Sequence, residues 1–63
     1  MKVQIVLAMY CGLPAYDPYV TTDEDEARAQ VDEWCKRFGL DPGDPHDDEA
    51  DIFWWEVEVA DVS

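Results

Sequence analysis

The stretch Thr22–Leu40, TDEDEARAQVDEWCKRFGL, decides how the rest of the chain folds. Ala27, Val31, Trp34, Cys35 and Phe38 fall at i, i+4, i+7, i+8 and i+11, a single apolar stripe at the helical period. Thr22 with Asp25, or Asp23 with Glu26, can cap the N-terminus. Gly39 suits the left-handed residue after the last turn, and Leu40 can fold back onto the helix end. Asp23, Glu24, Asp25 and Glu26 sit at the positive end of the macrodipole, Lys36 and Arg37 at the negative end. The outer face offers three acid-to-base pairs at i, i+4: Glu24 with Arg28, Asp32 with Lys36, Glu33 with Arg37.

On the N-terminal side, Lys2 to Cys11 reads as a strand, with Val3, Ile5, Leu7 and Met9 on one face. That set is wholly apolar and is expected to meet the helix. The same stretch has the length of a short signal peptide. The strand reading is preferred, because a domain this small cannot spare its best strand. Gly12 to Pro18 is punctuated as a loop, and Tyr19 to Thr21 is a short edge strand. On the C-terminal side, Asp41 to Asp51, DPGDPHDDEAD, is an acidic loop. Ile52 to Val62 is the last strand, with Phe53, Trp55, Val57 and Val59 expected inward.

These pieces form one small α+β domain over residues 1–63: a three-stranded antiparallel sheet with one helix on one face, chain order ββαβ, sheet order 2-1-3. The expected core is Val3, Ile5, Leu7, Met9, Val31, Trp34, Phe38, Phe53, Trp55, Val57 and Val59. The opposite sheet face is then Val6, Ala8, Tyr10, Ile52 and Trp54 with Gln4, Glu56 and Glu58. Such a face, with Trp54 exposed, is a candidate protein contact.

Sixteen acids against four bases give a formal charge of −12. With 48% hydrophobic and 13% aromatic residues the chain is nonetheless expected to fold. No stretch reaches the roughly 18 apolar residues of a membrane span. Direct nucleic-acid binding needs a basic footprint, which this charge excludes. His46 beside Asp44, Asp47, Asp48 and Glu49 lacks the spacing of a calcium loop, and one His with two distant Cys lacks that of a zinc site. No metal or cofactor is expected. Cys11 and Cys35 can pair, though reduced thiols suit a cytoplasmic protein better. No activated nucleophile or carboxylate pocket is legible, so the chain is not expected to be an enzyme.

What stands out is unpaired acid. It lies at Asp23, Glu24, Asp25 and Glu26, then at Asp41, Asp44, Asp47, Asp48, Glu49 and Asp51. The net charge exceeds the roughly 2 to 8 that serves solubility in a small domain. In size, charge and architecture, though not by a motif, the chain resembles the small phage-encoded anti-CRISPR proteins. Several of those imitate DNA phosphates to occupy a basic channel of a CRISPR effector. The resemblance implies that these acids are phosphate mimics, that the partner is a CRISPR-Cas subunit, and that the protein works in the host bacterial cytoplasm. The competing expectation is an interaction module that dimerises, or binds a partner, through the outer sheet face around Trp54.

Overall fold

The computed structural model describes residues 1–60. Its elements are β1 (Lys2–Tyr10), β2 (Leu13–Pro14), β3 (Tyr19–Thr21), α1 (Glu24–Phe38) and β4 (Ala50–Glu58). All strand pairs are antiparallel. β4 runs along β1 from Lys2↔Glu58 to Tyr10↔Ala50, so it fills one whole edge of β1. The other edge is shared by β3, opposite Gln4 to Val6, and β2, opposite Met9 and Tyr10. The long strands thus follow the expected order, with β1 between β3 and β4 and one helix on one face.

The helix starts in the second of the two frames. Asp23 is the N-cap, and its carboxylate accepts from the Asp25 amide at 2.9 Å. Glu26 accepts from the Thr21 hydroxyl at 2.8 Å, and that hydroxyl accepts from the Asp23 amide at 3.1 Å. Gly39 ends the helix at φ +70°, a left-handed conformation open to a residue without Cβ. Among the described residues only Glu33–Arg37 closes as an i, i+4 pair, at 3.1 Å. Arg28 lies instead over the Trp54 ring, 5.5 Å from its centroid.

Three boundaries differ from the sequence reading. Cys11 and Gly12, both at positive φ, make a two-residue turn into β2, where one long loop was expected. The last strand starts at Ala50 and ends at Glu58; the expected extension to Val62 reaches outside the described residues. The acidic loop shortens accordingly.

The larger correction is which face of the sheet meets the helix. Val6, Ala8, Ala50 and Ile52 are buried there with Ala27, Val31, Trp34 and Cys35, and Trp54 packs against them. Phe53, Trp55, Val57 and Val59, expected in the core, are exposed, and Val3, Ile5, Leu7 and Met9 are only half-buried. Size gives the reason. The helix and the β2–β3 segment already bring large rings: Tyr16 stacks on Trp34 at 5.4 Å, and Tyr10 stacks on Phe38 at 5.7 Å. Small side chains such as Ala8 and Ala50 leave room for those rings, whereas Phe53 and Trp55 would compete for it. The polar residues of the inner face are also satisfied. Trp54 Nε1–H donates to Gln4 Oε1 at 2.9 Å, and Gln4 Nε2 donates to Glu56 Oε1 at 2.8 Å.

Candidate functional site

Chain direction places the acids. β3 ends opposite Gln4, so α1 begins at the end of the sheet where Lys2 pairs with Glu58. It runs to the other end, where Phe38 stacks on Tyr10. Asp23, Glu24, Asp25 and Glu26 therefore share the first end of the molecule with Glu56 and Glu58. Asp41, Asp44, Asp47, Asp48 and Glu49 share the second. A helix of 15 residues is about 22 Å long, so the two groups are separate.

Not all of these carboxylates are available. Asp23 and Glu26 hold the helix start. Asp41 Oδ1 accepts from the Gly43 amide at 2.9 Å, and Asp47 Oδ1 from the Asp48 amide at 2.8 Å. Asp51 meets His46 Nδ1 at 3.2 Å. Glu49 lies beside the Tyr10 hydroxyl; its charge, with Cys11, pushes the Tyr10 pKa up. The contacts of Glu49 and Asp51 tie the loop to the sheet, together with main-chain bonds from the Cys11 amide to the Glu49 carbonyl at 2.7 Å and from the Ile52 amide to the Pro45 carbonyl at 2.9 Å. Among the described residues the side chains of Glu24, Asp25, Asp44 and Asp48 make no such contact.

The remaining expected site residue, Trp54, is on the inner face. Its half-buried ring is bonded to Gln4 and covered by Arg28, so it is no part of an outer contact surface. The outer face is instead built from the odd-numbered residues. Ile5 stands opposite Trp55 and Val20, Leu7 opposite Phe53, and Val3 opposite Val57. Sequence parity does find this apolar set; it places the set in the core because the set is wholly apolar.

Between the helix flank, the loop and the outer edge of β4 lies an open cleft of about 620 Å³, lined by Arg28, Val31, Pro45, His46, Ile52 and Trp54 among others. His46 and Asp51 form an imidazole–carboxylate pair at its rim, and the ring lies 5.4 Å from that of Phe53. An imidazole–carboxylate pair can activate a nucleophile. Cys35, however, is wholly buried on the inner side of α1, where burial raises its pKa and favours the thiol. Both cysteines are free. Among the described residues no three His, Cys, Asp or Glu side chains converge as metal ligands, and no helix is long and apolar enough to cross a membrane.

Comparison with protein-family models, with curated proteins and with solved structures finds no match to this chain.

Proposed function

We propose that the protein is an acidic decoy that binds a basic nucleic-acid-binding surface of another protein in place of nucleic acid. The CRISPR-Cas effector implied by the resemblance is the first surface to try. The supporting observation is that the carboxylates of Glu24 and Asp25 at one end, and of Asp44 and Asp48 at the other, make no hydrogen bond or ion pair among the described residues. Their charge is left for an external partner, and Lys or Arg side chains that grip phosphates would grip carboxylates by the same charge-assisted bonds. The test is displacement of DNA from a panel of purified CRISPR-Cas effectors, at low and high salt. Displacement should be strong at low salt and fade steeply as salt rises. Changing Glu24, Asp25, Asp44 and Asp48 together to Lys should abolish it while the far-ultraviolet spectrum stays unchanged. Displacement that survives this change, or none by the native protein, contradicts the reading.

An interaction module acting through the open face of the sheet is the second reading. It is favoured by the apolar character of that face from Phe53 to Val57 and from Val3 to Met9.

A further inference from the structure

We infer that the open face of the sheet is a homodimer interface, on which a second copy of this chain packs face to face. The inference rests on the second reading above and is independent of the acids. The face carries Ile5, Leu7, Val20, Phe53, Trp55 and Val57 at its centre, with Trp55 44% and Val20 59% exposed. Val20, Phe53, Trp55 and Val57 are each more than a third exposed, side by side on one face, and contiguous apolar patches on a monomer mark an interaction site. A specific interface buries at least about 1,000 Å² in total, shared between its two partners.

Three features point to a second copy as the occupant. First, the face matches itself. β4 contributes an aromatic strip, Phe53 and Trp55, directly beside the aliphatic strip of β1, Ile5 and Leu7. A two-fold axis lying along the strands between β1 and β4 sets each aromatic strip over the other copy's aliphatic strip. Second, charge is sparse at the contact. Both helices, with both acid groups, would lie on the outside of the sandwich, and the one carboxylate among the β1 and β4 residues of this face, Asp51, stands at the rim against His46. A basic partner would find a single carboxylate on these two strands. Third, the monomer's core is thin: three of its eight buried apolar residues are alanines, Ala8, Ala27 and Ala50, with a further two valines. A second apolar layer gives a domain of this size the burial that one helix does not.

Sedimentation equilibrium of the full chain tests this. At about 100 µM, enough to occupy an interface of this size, the native protein should sediment at twice its 7.3 kDa. Like-charged copies repel, so the dissociation constant should fall about tenfold between 0.05 and 0.5 M sodium chloride, as the Debye length contracts. Trp55→Thr, and separately Val57→Thr, should weaken the dimer by about thirtyfold or more for the central Trp, with circular dichroism unchanged. Leu13→Ser, at an exposed residue on the other side of the sheet, should not. A dimer that tolerates both Thr variants overturns the proposal. So does a native monomer in 0.5 M salt. If that monomer binds the neutral dye Nile red and Trp55→Thr removes the binding, the face serves a different partner and the module reading stands. If it binds no dye, both fail.

Discussion

The two faces of this sheet differ in a way opposite to their composition. The face against the helix is the less apolar one, holding Gln4, Glu56 and Glu58 beside Val6, Ala8, Ala50 and Ile52. The face turned away is apolar from Val3 to Met9 and from Phe53 to Val57. Apolarity alone therefore did not choose the inside. Fit did: the helix supplies Trp34 and Phe38, and the sheet receives them with small residues, Ala8 and Ala50, between the rings of Tyr10 and Trp54. A sheet whose larger residues point outward has either an expensive surface or a second use for it.

The largest expected effect falls on the inner side. Trp34 is 7% exposed, and Trp34→Ala should cost about 3–5 kcal/mol, a large share of what so small a domain has. Urea unfolding in dilute solution would read it. A shift below about 1 kcal/mol would mean that the helix is not the core's anchor.

Gln4 sharpens the comparison, as the one buried polar side chain among the described core residues. Gln4→Ala removes the acceptor of the Trp54 indole and should cost about 1–3 kcal/mol. Gln4→Glu keeps an acceptor but places a second carboxylate beside Glu56, so it should be destabilising at pH 7 and recover as pH drops. A neutral Gln4→Ala would place the indole in water.

The legibility of the fold in the sequence was uneven, and for identifiable reasons. The helix from its cap to Gly39 follows from period and capping chemistry, which are local. Sheet order follows from connection lengths. The inward face does not, because period-two alternation names two faces and assumes that the more apolar one is inside; Ile5 and Val6, or Phe53 and Trp54, differ too little for that rule. The turn at Cys11–Gly12 lacks the Asn-Gly or Asp-Gly signal of such hairpins. Among the candidate site residues, the acids were plain in the sequence. Their division into those that bond within the loop, such as Asp41 and Asp47, and those with no such bond among the described residues, such as Asp44, depends on the loop's backbone path, which composition does not encode.

The smallest effect concerns the buried thiol. Cys35 is fully buried and its pKa lies above the ordinary 9.0, chiefly through burial and then through Asp32 and Asp41. The folded state thus favours the thiol. This stability is complete below about pH 9, where the unfolded chain is also a thiol, and is lost as pH rises through the folded value. The melting temperature should fall at alkaline pH, and Cys35→Ala should flatten that slope. Equal slopes in the native protein and the variant would put Cys35 in contact with water.

One measurement addresses the central claim, that the even-numbered residues of β4 face the helix and the odd-numbered ones do not. Ile52 and Phe53 are neighbours, 2% and 41% exposed. Ile52→Lys puts a charge into the core, and Phe53→Lys puts the same charge on the open face. Circular dichroism with urea unfolding of both variants, in dilute solution, should show Ile52→Lys unfolded and Phe53→Lys folded with a cooperative transition. A folded Ile52→Lys beside an unfolded Phe53→Lys would contradict the account.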